Sequence, residues 1–261
     1  LGRPMGVPDA ASGRAVSWLA LASCGWLAYL VVRELTRSRA AGLVSSLSSF
    51  AFSCFTYMAL MGFRPKVYVT LFALLTAWFM VRERPFWAGL SASLAFLCWQ
   101  PAILILGAVS AAFAIRRERW HLIGLTLVGA AVPQVLYEAY FVAIGDLATQ
   151  LMQGYVYPLI VSSARNRRLL WSAADLPLRW QRGFGAANVL PLLCGAGLIG
   201  ILVQRLLMRR PSLPRAIPPA WLYVGLGFVL TAGYTVADNQ GYPDLFFVLP
   251  YVIILVGYVS H

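Results

Sequence analysis

From residue 15 to residue 260 the sequence is a succession of apolar runs, and most approach the ~20 residues a helix needs to cross bilayer hydrocarbon. Nine segments read as helices: Ala15–Val32, Ala40–Phe63, Val67–Val81, Phe86–Leu97, Ala102–Ile115, Leu122–Gly145, Ala187–Gln204, Ala220–Ala237 and Leu245–Ser260. Short polar turns, many carrying arginine, separate them. Phe86–Leu97 and Ala102–Ile115 are too short for an upright span at ~1.5 Å per residue. They read as tilted short spans or a re-entrant hairpin, broken at Trp99-Gln100-Pro101, that returns the chain to the side it left.

Composition leaves no other fold class. Hydrophobic residues make up 60% of the chain and charged residues 11%, against roughly 25% charged in average soluble domains. So few charges cannot coat a globular surface, so the apolar side chains face lipid. The expectation is an all-α polytopic transmembrane bundle of eight or nine helical segments, with residues 1–261 as a single transmembrane domain. Leu1 is not preceded by a charged leader region and no signal peptide is read, so the chain is expected to be a piece of a longer protein.

The net charge of +12 arises from 21 Lys+Arg against 9 Asp+Glu, and Lys66 is the only lysine. These cations stand between apolar runs, where they act as topology determinants and contacts to anionic lipid. Nucleic acid is not an expected partner, because no basic amphipathic stretch or stacking platform accompanies the charge. Arg33, Arg37, Arg39, Arg82, Arg84, Arg116, Arg117, Arg119, Arg205, Arg209, Arg210 and Arg215 fall on one side by helix alternation, which the positive-inside rule makes cytoplasmic. The opposite, extracytoplasmic side receives the long excursion 145–187, which carries Trp171, Trp180 and Phe184 beyond Tyr155 and Tyr157 and is read as containing an interfacial helix. The protein is thus expected to be a multi-pass protein of the cell membrane.

Ionisable residues near that outer side carry the functional information, since membrane interiors tolerate charge only with a partner or a purpose. Arg64 and Lys66 head the third run; snorkelling to headgroups is their bland reading and phosphate binding the sharper one. Glu138 lies about two turns inside its segment and needs a partner or water. Asp238 and Asp244 flank the last outer loop. The cluster Arg165, Arg167 and Arg168 suits bidentate phosphate binding or anionic headgroups. Trp99 and Gln100 line a break that is either a simple connection or the floor of a polar cavity. Arg64, Lys66, Trp99, Gln100 and the Arg165–Arg168 loop share a side by helix parity and are expected to border one cavity. Cys24, Cys54, Cys98 and Cys194 form no CxxC pair, and two histidines are too few for a metal cluster, so no metal site is expected. Nucleotide loops and serine-hydrolase motifs are missing from the sequence.

Arg14-Ala15-Val16-Ser17 leads an apolar span, and Leu30-Val31-Val32-Arg33-Glu34-Leu35-Thr36-Arg37-Ser38-Arg39-Ala40-Ala41-Gly42-Leu43 gives a basic turn into a small-residue helix start. Gly62-Phe63-Arg64-Pro65-Lys66, Arg82-Glu83-Arg84-Pro85, Ala88-Gly89-Leu90, Leu97-Cys98-Trp99-Gln100-Pro101-Ala102 and Tyr242-Pro243-Asp244-Leu245-Phe246-Phe247-Val248-Leu249-Pro250-Tyr251 follow in order. Together these stretches resemble GT-C membrane glycosyltransferases, most of all the dolichyl-phosphate-mannose mannosyltransferase group of glycosyltransferase family 39. The resemblance implies inverting transfer of a sugar, mannose, from a polyprenyl-phosphate donor to a protein or glycan acceptor on the extracytoplasmic face. Arg64, Lys66, Trp99, Gln100, Arg165, Arg167 and Arg168 are then the expected lipid-phosphate and substrate contacts, and Glu138 and Asp238 are this chain's candidate bases. The family's catalytic carboxylate sits in a large first outer loop that this sequence does not include, so the chain alone is expected to be inactive. Position 66 is Lys where many relatives carry an acid, and no acidic role passes to it. No cofactor follows from the residues, and a divalent metal stays open. Two other readings also stay open: a non-enzymatic lipid-linked-sugar flippase or transport subunit, and a polysaccharide polymerase.

Overall fold

A computed structural model of the chain describes residues 9–62, 64–115, 120–157, 160, 177–178, 180–187, 189, 218–237 and 242–261. Among these, every regular element is helical: α1 Asp9–Thr36, α2 Arg39–Ala51, α3 Ser53–Leu60, α4 Pro65–Val81, α5 Pro85–Cys98, α6 Ile103–Ala114, α7 Trp120–Ala143, α8 Leu147–Leu151, α9 Pro219–Ala237 and α10 Leu249–Val259. The expected helix bundle is what forms. α1, α7 and α9 are long and apolar enough to cross a membrane, and α2 with α3 would make a fourth span if the bent pair counts as one. Most of the expected segment Ala187–Gln204, and the cluster Arg165, Arg167 and Arg168, lie outside the described residues.

One expected helix is corrected. Ala40–Phe63 is two helices bent by 66° at Phe52, whose backbone (φ −78, ψ 83) leaves the helical region. The preceding serines supply the cause. Ser48 and Ser49 hydroxyls donate back to the carbonyls of Ser45 and Ser46, and such back-bonding bends helices. Phe52 then turns inward, fully buried, with its ring edge-on to Phe184 at 5.5 Å. The last expected segment is also shorter: a 3₁₀ turn, Tyr242–Phe247, precedes α10.

Two proline-led starts set the frame. Pro65 and Pro85 each stand at the first turn of a helix, where the missing N–H costs nothing. α5 packs on α7 through a close crossing in which glycine is required. A Cβ on Gly89 would overlap the Thr126 carbonyl, and one on Gly129 would overlap the Phe86 carbonyl. Small residues at such crossings let two backbones approach where lipid offers no hydrophobic drive between helices. The opposite side of α7 is bare and apolar, with Val128 58% and Val135 64% exposed, as a lipid-facing surface should be.

α10 is the core element. From Leu249 to Leu255 it is buried throughout, held by Ser45 of α2, whose hydroxyl donates to Ile253 O at 2.9 Å. Tyr251 donates to the Tyr223 hydroxyl at 3.2 Å, and Tyr223 donates to Ala73 O at 3.0 Å, tying α10 and α9 to α4. At one end of the bundle the Ser17 hydroxyl donates to Gly62 O at 2.8 Å, joining α1 to the turn between α3 and α4. That end also gathers the finish of α5 and the 242–247 turn, and there the polar groups collect.

Candidate functional site

The site is built around Lys66. Arg64 is extended (φ −128, ψ 116), the conformation proline imposes on the residue before it, and Lys66 follows Pro65 into the first turn of α4. Its ammonium donates to Asp244 Oδ1 in an ion pair. Asp244 is 4% exposed at its side chain and Lys66 24%, so the carboxylate is enclosed while the ammonium retains some access. Enclosed carboxylates are rarely left without a cationic partner.

Trp99 supplies the second contact. The Lys66 ammonium lies 4.4 Å from the centroid of its ring, a cation–π geometry. The ring is fixed edge-on against Phe247 at 5.1 Å and Tyr234 at 5.8 Å. Its backbone is extended (φ −162, ψ 120) because α5 ends here and the 3₁₀ turn Gln100–Ala102 begins. The Thr70 hydroxyl bridges Lys66 O at 3.0 Å and Phe246 O at 3.3 Å, locking α4 to the turn that carries Asp244. Arg64, by contrast, is exposed, and among the described residues it makes no ion pair. Gln100 is likewise exposed.

A second polar group forms along α5 and α7, beyond the Gly89–Gly129 crossing. Glu138 Oε1 accepts from the Tyr155 hydroxyl at 2.7 Å and from Gln150 Nε2 at 3.4 Å. Tyr155 also lies 3.2 Å from Gln134 Oε1, and Gln134 Nε2 donates to Ser93 Oγ at 2.9 Å. Tyr155 stacks on Phe96 at 6.0 Å. It sits in a π-helical turn, Met152–Val156, of the kind found often at functional sites. Burial, and then the hydrogen bond to Glu138, push its phenol up to about 12. Glu138 Oε2 is buried and has no hydrogen-bond partner among the described residues.

Of the residues singled out in the sequence, Lys66 and Trp99 are therefore in contact, with Arg64 and Gln100 on adjoining turns. Glu138 belongs to the separate α5–α7 group. Asp238 and the three loop arginines fall outside the described residues. Asp244 was visible only as an acid flanking a loop. Its pairing with Lys66, 178 positions away, carries no local signal. Chemically, the Lys66 end offers an exposed guanidinium beside an internally neutralised pair, and the Glu138 group offers a carboxylate oxygen with open accepting capacity.

Comparison with known proteins bears out the resemblance read in the sequence. Residues 14–137 match the family described as DolP-mannose mannosyltransferase. Over 237 residues the chain is 25% identical to a dolichol phosphate-mannose mannosyltransferase of Haloferax volcanii, covering 89% of this chain and 48% of that protein. The chain thus spans about half the length of the curated relative it matches. No solved structure matches it.

Proposed function

We propose that these 261 residues are the membrane region of a glycosyltransferase that moves mannose from a polyprenyl-phosphate donor to an acceptor hydroxyl on the extracytoplasmic face of the cell membrane. The observation that carries this is positional. The polar groups of an apolar bundle gather on α4, α5 and α7: Arg64, Lys66, Trp99, Ser93 and Gln134 stand inside the stretch similar to DolP-mannose mannosyltransferases, and their partners Asp244, Glu138 and Tyr155 beyond it. Arg64, joined by Arg165, Arg167 and Arg168 of the long loop, holds the donor phosphate, because guanidinium binds phosphate oxygens bidentately. Lys66 has its charge committed to Asp244 and, with Trp99 and Gln100, shapes the wall beside that phosphate.

In the transfer step the acceptor oxygen bonds to the anomeric carbon as the carbon–oxygen bond to the lipid phosphate breaks. The phosphate leaves with the bonding electron pair, where the arginines stabilise it. The acceptor's proton passes to a carboxylate, a contribution of ~10²–10⁴ in rate. We assign that carboxylate to the outer loop where the family resemblance puts it, outside these 261 residues. The acceptor is a protein or glycan hydroxyl.

Reconstituted in lipid, the chain should bind radiolabelled polyprenyl-phosphate mannose saturably, with competition by polyprenyl phosphate and at least roughly tenfold weakening in Arg64→Ala. Failure to bind either lipid refutes the reading. Transfer to a crude acceptor mixture should need the full-length parent. Comparable transfer by the 261 residues alone would bring the base back to Glu138 or Asp238, tested by replacement with Gln and Asn.

A further inference from the structure

A buried carboxylate oxygen left without a donor is costly, and Glu138 Oε2 is in that position. Its neighbours are not arranged to relieve it. Tyr155 and Gln150 both address Oε1, and Gln134 is engaged with Ser93 and Tyr155. Gly154 is part of the arrangement, since a Cβ there would come 2.9 Å from Gln150 Nε2 and crowd the amide. The π-helical turn and the Gly89–Gly129 crossing thus hold a planar carboxylate, two planar amides and a phenol together, with one acceptor unfilled.

We propose that Glu138, Gln134, Gln150 and Tyr155 form a subsite for a sugar ring, with a hexose hydroxyl donating to Glu138 Oε2. The proposal rests on the glycosyltransferase reading and deepens it. A sugar fits the chemistry better than a cation would. The set contains a single carboxylate beside neutral amides and a phenol, whereas hard divalent ions draw several carboxylate or carbonyl oxygens. Groups that both donate and accept suit hydroxyls, which do the same. Phe96, stacked on Tyr155, adds an apolar surface of the kind that lines small-molecule sites beside a few placed polar groups.

Two sources can supply the ring: the mannosyl group of the donor, or a glycan acceptor. The reconstituted 261-residue chain would be treated with a hydrophobic carbodiimide, and modification of Glu138 followed by peptide mass spectrometry with Glu34 as the internal control. Protection of at least about fivefold by millimolar methyl α-mannoside points to a glycan acceptor. Protection by polyprenyl-phosphate mannose but not by methyl α-mannoside or bare polyprenyl phosphate points to the donor's sugar. Either result supports the subsite, and protection by neither sugar overturns it. Separately, the preference for the mannosyl lipid over bare lipid phosphate should fall roughly tenfold in Glu138→Gln, and in Tyr155→Phe if the first variant does not fold, with bare-lipid affinity unchanged. Binding of bare lipid phosphate without sugar protection sinks the subsite alone. Sugar protection without any lipid binding leaves the subsite standing and sinks the glycosyltransferase reading.

Discussion

Replacing Asp244 with Asn tests whether the Lys66–Asp244 pair organises its end of the bundle. The substitution keeps shape and removes the charge, leaving an ammonium that is only 24% exposed. Removing one partner of a buried pair costs about 3–5 kcal/mol, because the other charge is left uncompensated. Here the Trp99 face stays 4.4 Å from the ammonium, which is 24% exposed, so the stranded charge is partly compensated and the cost falls below that range. The Asn carbonyl also still accepts one hydrogen bond. The net expectation is about 2–3 kcal/mol, a ~30- to 160-fold shift in the unfolding constant. Replacing both partners, Lys66→Met with Asp244→Asn, removes the stranded charge and should cost less than the sum of the two single replacements. Reversible unfolding in mixed micelles, followed by tryptophan fluorescence for the four proteins of the cycle, measures this. A double variant whose loss equals the sum of the singles would show that the two groups do not interact energetically, and the reasoning would fail.

Three further outcomes follow from the same geometry. Gly89→Ala and Gly129→Ala should each destabilise by about 1–3 kcal/mol, since the added methyl meets a backbone carbonyl that cannot rotate away; an unchanged thermal midpoint would contradict the crossing. The Tyr155 phenol, held up to about 12 by burial and the Glu138 hydrogen bond, should appear as a late component at 295 nm that Tyr155→Phe removes and Glu138→Gln moves toward the ordinary ~10. Because the folded state holds that proton more tightly, its contribution to stability is complete below pH ~10 and lost as pH rises to about 12. Finally, a cysteine placed at Ala173 in a background without native cysteines should react with an impermeant maleimide in intact cells, and labelling only after lysis would invert the proposed sidedness.

The apolar runs made most of the fold legible, because lipid demands the same local signal from every helix. What escaped was non-local. The serines before Phe52 carry the local cause of the 66° bend, but the residue that receives Phe52, Phe184, lies more than a hundred positions on and has no local signal. Gly89 and Gly129 look like ordinary small residues until their helices are seen to cross. At the site, Glu138 stood out as an acid within an apolar run, and Lys66 and Trp99 as polar or aromatic residues at helix ends. Their partners were not readable: Asp244 belongs to Lys66 only through the fold, and Tyr155 meets Glu138 from a π-helical turn that no local pattern announces.

The enclosure of α10 bears on how the protein is made. Every residue from Leu249 to Leu255 is buried by neighbouring helices, so this apolar stretch packs against protein on all its faces. It is synthesised after α1, α2 and α9, the helices whose residues Val32, Ala41, Ser45 and Gly227 line its berth. Its place in the fold should therefore depend on the sleeve that those helices form as well as on its own hydrophobicity. Polar substitutions along Val252–Leu255 should then spare membrane integration of the preceding segments while stalling maturation at a late, protease-sensitive intermediate.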